Sequence, residues 1–312
     1  MARQQASILG LGEALIDILP SGEVVGGAPL NFSVRVADLS RHLGYQSALM
    51  TRVGRDARGQ RILDLLQSRN VNCAAIQTDC DRPTGYVDIG LQVGEANYRF
   101  GENVAWDFLD SIDASGVADV LNPIRLVCFG TLGQRKAMSR NAIQQTLASA
   151  GDAALFLDLN LRLPLPELET VQASLMMANV LKCNLEELLW LGEQFDFKSS
   201  EPKEIASRLI DRFELDLLFC TRGANGCRMY LVDRQIEEPL CLKFSSILPK
   251  KSQADSVGAG DASAAACALG ILEGWSPERI VRVANKFGAF AAHTRGPTAE
   301  ISEELRQAVL EE

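Results

Sequence analysis

The sequence predicts an α/β fold in which helices cover both faces of a doubly wound, mainly parallel sheet. Apolar runs of strand length alternate with segments of helical period along most of the 312 residues, and this alternation is typical of parallel sheets. One region differs, because 84–90 and 92–100 read as half-exposed strands with no helix between them. We therefore expect one domain over residues 1–312, with a small β lid formed by the segments near 14–28 and 84–104.

The body of the fold is read from the alternation itself. Strands are predicted over 7–18, 47–53, 125–129, 153–157, 180–183 and 215–221. Helices are predicted over 30–43, 57–68, 135–150, 167–178, 186–191, 201–213, 258–273, 276–293 and 302–310. Within 201–213, Ile205, Leu209 and Phe213 recur on one helical face. Ser276 before Pro277 is typical of an N-cap followed by proline at the first helical position.

Composition limits the partners and the metal chemistry. The net charge of −9 argues against nucleic acid or an anionic membrane as a partner, and no run approaches the ~18 apolar residues of a membrane span. The eight cysteines are scattered without a Cys-x-x-Cys pair, and two histidines leave little material for a zinc site or a histidine-based triad. We therefore expect buried free thiols and a cytoplasmic protein.

The stretch 255–261 reads Asp-Ser-Val-Gly-Ala-Gly-Asp and stands where a loop becomes a helix. Its glycines, Gly258 and Gly260, let backbone N–H groups approach an anion closely, and the helix N-terminus adds positive potential. Asp261 beside such a site is suited to take a proton from a neighbouring hydroxyl. The combination favours phosphoryl transfer to an alcohol, although the motif taken alone is more typical of a plain turn before a helix.

Polar residues follow other predicted strands, at the edge where open α/β sheets hold ligands. Asp17 can accept hydrogen bonds from sugar hydroxyls, and Asn31 can donate and accept at once, as a polyol demands. The alternatives are a solvated strand end for Asp17 and helix capping for Asn31. Arg162 is suited to bind the oxygens of a transferring phosphate, or is a plain surface arginine.

Two further segments each allow two interpretations. Asn184 and Glu187 put oxygen-bearing side chains on one helical face, which suits Mg²⁺ through waters or a plain capping box. The turn 221–226 reads Thr-Arg-Gly-Ala-Asn-Gly and is either a tight turn or a backbone segment against which a nucleotide binds closely.

Two common nucleotide-binding motifs are missing from the sequence. It contains no G-x-x-x-x-G-K-[ST] loop, so it does not predict a P-loop enzyme. The segment Gly10-Leu11-Gly12-Glu13 lacks the third glycine of a dinucleotide-binding fingerprint.

Together these motifs resemble the ribokinase-like (PfkB) family of carbohydrate kinases over nearly the whole chain. The stretch 255–261 looks like the second family signature, and the segments 26–31, 43–44 and 53–59 look like the first. The motifs around Asn184 and Thr221 lie between them in the family's order. Five motifs in the right order are far more specific than any one of them.

The resemblance implies a doubly wound core, a β lid over a small-molecule sugar, ATP with Mg²⁺, and often a monovalent cation such as K⁺. By position, Asp261 is the catalytic base, and Gly258, Ala259 and Gly260 supply the anion hole. The residues expected around sugar and phosphate are Asp17, Gly27, Asn31, Arg99 and Arg162. Those expected around the nucleotide are Asn184, Thr221, Gly223, Gly226 and Asn285. The metal candidates are Glu187 for Mg²⁺, through water, and Asp255 for K⁺.

Within the family, the segments 12–17, 26–31 and 98–100 look most like fructokinases. The sequence departs from the fructokinase pattern at two places. Ser256 replaces the usual threonine, and Leu163-Pro164 lacks the tryptophan that is common there. These differences affect the identity of the sugar rather than the reaction. The alternatives are a kinase for 2-keto-3-deoxygluconate, ribose or a nucleoside, and a sugar-binding regulator that lost catalysis. A lid with exposed apolar residues also predicts a homodimer formed through it.

Overall fold

The computed structural model describes residues 6–92, 95–111, 121, 123–238 and 257–311. The chain divides into two compact units, Met1–Ala153 and Ala154–Glu312. Each unit contains parallel strands with helices between them, which agrees with the predicted α/β class.

The first unit carries eight strands and three α-helices among its described residues. The strands are β1 (Ala6–Leu11), β2 (Leu15–Leu19), β3 (Gly22–Gly26), β4 (Tyr45–Gly54), β5 (Ile76–Asp79), β6 (Gly85–Gln92), β7 (Glu95–Phe100) and β8 (Ile124–Phe129). The helices are α1 (Ala28–Ser40), α2 (Ala57–Ser68) and α3 (Ala137–Ala148). Strands β8, β1, β4 and β5 lie side by side in that order, and all their pairings are parallel.

A second sheet of this unit has the order β3–β2–β6–β7. β2 pairs in parallel with β6, whereas the outer two pairings are antiparallel. One face of this sheet packs Ile18, Val25 and Tyr86 against an apolar cluster that includes Leu30 and Val34 of α1. These strands fall inside the segments near 14–28 and 84–104 that were assigned to a lid.

The single strand predicted over 7–18 is wrong, because two strands occupy that range. β1 ends at Leu11 and pairs with β4, whereas β2 begins at Leu15 and belongs to the other sheet. The chain changes sheets at Gly12, whose φ is 144°. Apolar residues continue on both sides of that point, so the hydrophobic pattern alone did not reveal the break.

The second unit carries five strands and six α-helices among its described residues. The strands are β9 (Ala154–Asp158), β10 (Val180–Asn184), β11 (Leu217–Thr221), β12 (Cys227–Tyr230) and β13 (Gln235–Glu238). The helices are α4 (Leu168–Met177), α5 (Leu185–Gln194), α6 (Pro202–Phe213), α7 (Ala259–Leu272), α8 (Pro277–Ala292) and α9 (Glu303–Leu310). β9, β10 and β11 are parallel neighbours, and β12 and β13 extend the sheet in antiparallel fashion.

The helices of this unit follow their sequence signals closely. α6 buries Ile205, Leu209 and Phe213, as their spacing predicts. The Ser276 side chain accepts a hydrogen bond from the Arg279 N–H at the start of α8, which confirms the predicted N-cap. α7 is rich in alanine and buried on nearly all sides, so it is an interior helix that packs on α8.

The described cysteines agree with the predicted free thiols, although two of them, Cys73 and Cys80, are not buried. All seven described cysteines are free, and five of them are buried: Cys128, Cys183, Cys220, Cys227 and Cys267. Cys241 lies outside the described residues. Within the described part of the chain, every helix is too short or too polar to cross a membrane.

Candidate active site

The first turn of α7 carries the residues predicted for an anion hole and a base. Gly258 is the N-cap and has a left-handed conformation, with φ 81°. A Cβ on this residue would lie 2.7 Å from the Cα of Pro297, so both the backbone conformation and the close contact require glycine. Asp261 lies in the same turn and is only 9% exposed. The turn thus presents backbone N–H groups and a nearly buried carboxylate side by side.

A buried ion pair lies against this turn. Lys182 of β10 places its Nζ 2.8 and 2.9 Å from the two carboxylate oxygens of Asp158, at the end of β9. A Cβ built on Gly260 would lie 3.0 Å from the same Nζ. Burial by itself lowers the pKa of Lys182, but the charges of Asp158, Glu187 and Asp261 outweigh it and raise that pKa above its usual value. Lys182 therefore carries its charge throughout the physiological range.

Glu187 is a buried carboxylate that joins the loop after β9 to the end of β10. Its oxygens accept hydrogen bonds from the N–H of Leu161 at 2.7 Å and of Asn184 at 2.8 Å. The Asn184 side chain in turn accepts from the Glu187 N–H at 2.8 Å, which completes a capping box at the start of α5. Burial raises the pKa of Glu187, and the Lys182 charge opposes this only in part.

The charge balance of this cluster suits a divalent cation. Asp158, Glu187 and Asp261 all act on the single ammonium of Lys182, so negative charge exceeds positive charge. Among the described residues there is no group of three or more His, Cys, Asp or Glu side chains arranged to hold a metal directly. Mg²⁺ commonly keeps several waters and binds through phosphates as well as carboxylates, so the residues present fit a water-mediated magnesium ion.

The residues predicted for the nucleotide lie on neighbouring elements of the second unit. Asn184 and Thr221 are paired at the carboxyl ends of β10 and β11. Gly223 and Gly226 bound a turn of 3₁₀ helix directly after β11. Asn285 is buried on α8, next to Ala284, whose carbonyl accepts a hydrogen bond from Ser263 of α7. Arg162 donates to the carbonyl of Leu161, in the loop that Glu187 fixes.

The first unit gathers three of the residues predicted for the sugar. A Cβ on Gly26 would lie 2.5 Å from the Asp17 Oδ2, so the carboxylate lies directly over the end of β3. Gly27 follows as the N-cap of α1, and no side chain caps that helix. Asn31 is buried in the first turns and donates its N–H to the Gly27 carbonyl at 2.9 Å. Asn31 therefore does not cap α1, contrary to the alternative interpretation.

Arg99 is not on the same side of this sheet as Asp17. Asp17 is paired with Val87, which is paired with Phe100, whereas Arg99 is paired with Asp88. Because side chains alternate between the faces of a sheet, Arg99 points to the face opposite that of Asp17. The two residues were expected around one sugar, and within this sheet the register separates them.

Two residues of this site, Lys182 and Asp158, are not among the functional residues predicted from the sequence. Lys182 is a charged residue inside the apolar strand 180–183, and Asp158 directly follows the apolar strand 153–157. Opposite charges at the ends of two neighbouring parallel strands were the available signal, but it depends on knowing that these strands are adjacent. Asp255, the predicted K⁺ ligand, lies outside the described residues.

Comparison with known proteins agrees with these motifs. Residues 22–304 match the family described as pfkB family carbohydrate kinase. The chain belongs to this family. A fructokinase of Salmonella typhimurium is 29% identical over 314 residues, covering 93% of this chain and 94% of that protein. A putative sugar kinase of Pyrococcus horikoshii is 26% identical over 310 residues, covering 93% and 91%.

Solved structures of family members share the fold. A fructokinase double mutant of Vibrio cholerae with fructose, ADP and potassium ion bound has a TM-score of 0.77 at 22% identity, and the match covers 100% of both chains. A putative ribokinase II of E. coli in complex with ATP and Mg²⁺ has a TM-score of 0.77 at 19% identity, covering 94% of each chain. These likenesses show that the chain has the ribokinase-like α/β fold. Its family membership makes it a carbohydrate kinase, which is a phosphotransferase.

Proposed function

We propose that this kinase is a fructokinase that transfers the γ-phosphate of ATP to a hydroxyl of the sugar. The first turn of α7 carries the proposal, because it combines the amides of an anion hole with the buried carboxylate of Asp261. The fructokinase assignment is supported by the name of the Salmonella relative and by the fructose bound in the Vibrio structure.

In the proposed mechanism, Asp261 accepts the proton of the sugar hydroxyl as that oxygen attacks the γ-phosphate. The backbone N–H groups of Gly258, Ala259 and Gly260 stabilise the negative charge that develops on the transferred group. The nearly complete burial of Asp261 keeps bulk water away from its carboxylate. Little covalent chemistry is asked of the protein, since positioning and charge stabilisation account for most of phosphoryl-transfer catalysis.

The nucleotide and its metal are assigned to the second unit. Glu187 would hold Mg²⁺ through water, and the bound ion would neutralise phosphate charge. Thr221, Gly223, Gly226 and Asn285 would line the nucleotide, with Asn184 at the neighbouring strand end. Arg162 would bind the transferring phosphate through its guanidinium.

The sugar is assigned to the residues gathered beside β3. The carboxylate of Asp17 would accept hydrogen bonds from two hydroxyls, and Asn31 would donate and accept, beside Gly27. Arg99 is left to a separate role at the lid, because the register turns it away from the Asp17 face. A lid-mediated homodimer and a K⁺ site at Asp255 stay predictions.

A panel of acceptors tests the substrate. Purified protein is incubated with ATP, Mg²⁺ and fructose, 2-keto-3-deoxygluconate, ribose or a nucleoside, and ADP formation is followed by a coupled assay. The highest kcat/KM is expected with fructose. A higher value with another acceptor would replace fructose and keep the kinase mechanism. Binding of a sugar by calorimetry without any ADP formation would favour the regulator instead.

A further inference from the structure

Lys182 is an unexpected residue for its position. The neighbouring residues of β10, namely Val180, Leu181 and Cys183, are buried and uncharged. Burying an ion pair costs several kcal/mol per ion, and apolar replacements are often as stable or more stable. The stability of the fold therefore does not explain a buried ammonium in this strand. The groups around the ammonium indicate what else it does.

The ammonium is held in one place against the first turn of α7. Both oxygens of Asp158 bind its Nζ, at 2.8 and 2.9 Å. A Cβ added to Gly260 would approach the same Nζ to 3.0 Å, so a side chain there would require the ammonium to shift by a few tenths of an ångström. The position is thus fixed from one side by Asp158 and open toward the backbone of residue 260 on the other.

Charged groups from three elements face this ammonium. They are Asp158 at the end of β9, Glu187 on α5 and Asp261 on α7. A fixed cation at this position attracts the Asp261 carboxylate and adds to the positive potential of the helix N-terminus. Preorganised charges of this kind need no rearrangement when the transition state forms.

We propose that Lys182 is a positioning residue for phosphoryl transfer, and that its ammonium acts through Gly260 and Asp261 as a fixed positive charge behind the anion hole. The inference rests on the proposed kinase mechanism and adds one residue to it. Asp158 serves to hold the ammonium in place.

A double variant separates this role from a purely structural one. Lys182→Met together with Asp158→Asn removes both charges of the pair and keeps the side-chain volumes, so no uncompensated partner is left within the pair. We expect kcat to fall about 10- to 100-fold, less than the roughly 10²–10³ lost with a directly contacting donor. The KM for the sugar and the calorimetric affinity for ADP should each stay within about twofold.

A second variant covers the case in which the double variant does not fold. Lys182→Gln removes the charge, yet its amide can still donate to Asp158, and the same loss of kcat is expected. Wild-type kcat in either folded variant would overturn the proposal, because the pair would then be structural. A loss confined to ADP affinity or to KM would also overturn it, because Lys182 would then be a ligand-binding residue.

An exposed ion pair of the same unit gives the matched control. Lys198→Met with Asp196→Asn neutralises a surface pair and should leave kcat unchanged. Wild-type turnover on the acceptor panel decides the proposed function separately. An active wild type with active Lys182 variants overturns only the role of Lys182, whereas an inactive wild type overturns both.

Discussion

Three buried aspartates in the first unit of this kinase are paired with arginines, whereas the carboxylates around Lys182 in the second unit outnumber their cation. Three buried aspartates of the first unit each contact one or two arginines: Asp38 with Arg35 and Arg69, Asp79 with Arg52 and Arg82, and Asp107 with Arg135. In the second unit, Asp158, Glu187 and Asp261 all face Lys182. Arginine supplies rigid paired donors and keeps its charge, so the first arrangement is suited to hold loops in place.

The difference indicates where charge is kept available for ligands. A carboxylate saturated by guanidinium groups has little left to offer a metal or a proton. A cluster with more carboxylates than cations lowers its energy by binding a cation, and it can hold a carboxylate ready to accept a proton. We therefore expect substitutions in the cluster around Lys182 to change turnover, and substitutions of the arginine-paired aspartates in the first unit to change stability.

The largest expected effect comes from the proposed base. Asp261→Asn keeps the shape of the side chain and removes the proton acceptor, so kcat should fall on the order of 10²–10⁴-fold. Coupled detection of ADP measures this, and thermal unfolding checks the fold. Glu273→Gln, at the exposed end of the same helix, is the control and should retain kcat. Near-normal turnover by Asp261→Asn would remove the base from the mechanism.

In the first unit the corresponding substitution should reduce stability. Asp107 is buried and accepts from Arg135 Nε at 2.7 Å and Nη2 at 2.8 Å. Asp107→Asn leaves that guanidinium without its charge partner, and the free energy of unfolding should fall by about 3 kcal/mol. Urea unfolding measures it, and Asp110→Asn in a surface pair with Arg52 should cost less than about 1 kcal/mol. Equal losses from the two variants would contradict the distinction between them.

Much of the second unit could be predicted from the sequence, because its signals are local. The spacing of Asn184 and Glu187 allowed a capping box as one of its two interpretations, and Ser276 with Pro277 predicted the start of α8. Both depend only on residues a few positions apart. The turn proposed as the anion hole is likewise a local pattern of glycine and aspartate.

The contacts that the sequence did not reveal are all between distant elements. The Lys182–Asp158 pair could be predicted only if β9 and β10 were known to be neighbouring strands. The separation of Asp17 from Arg99 requires the register of β2, β6 and β7, in which a shift of one residue would reverse the faces. Hydrophobic periodicity predicts where strands lie in the sequence, but it predicts neither their order in a sheet nor their register.

A smaller effect should come from Glu187, the carboxylate that joins the loop after β9 to the end of β10. Glu187→Gln keeps one oxygen but turns an amide toward a backbone N–H of Leu161 or Asn184. The Mg²⁺ concentration for half-maximal activity should rise about tenfold, the lower end of the effects seen for residues that orient metal sites. A magnesium titration of activity measures it. Glu186→Gln, exposed on the same helix, should leave the midpoint in place, and an unchanged midpoint for Glu187→Gln would separate this residue from the metal.

The smallest expected effect concerns pH. Burial by itself raises the pKa of Asp79, but hydrogen bonds from the Asp81 and Arg82 backbone and the charge of Arg52 outweigh it and lower that pKa. A lowered pKa in the folded state stabilises the protein above the ordinary aspartate pKa of about 3.9, and this stabilisation is lost as the pH falls through the folded-state pKa.

By urea unfolding, wild type should have a higher free energy of unfolding than Asp79→Asn at pH 6. This difference should become smaller as the pH is lowered from 6 to below about 3. We expect this narrowing to be small, because the arginine partners of Asp79 are partly exposed and solvent screens their charge. Asp81→Asn, at an exposed position of the same loop, is the control for a nearby loss of charge. If the two proteins differ by the same free energy of unfolding at every pH, the Asp79 carboxylate stabilises the fold through its shape rather than its charge. The contrast between the units would then depend on Asp38 and Asp107.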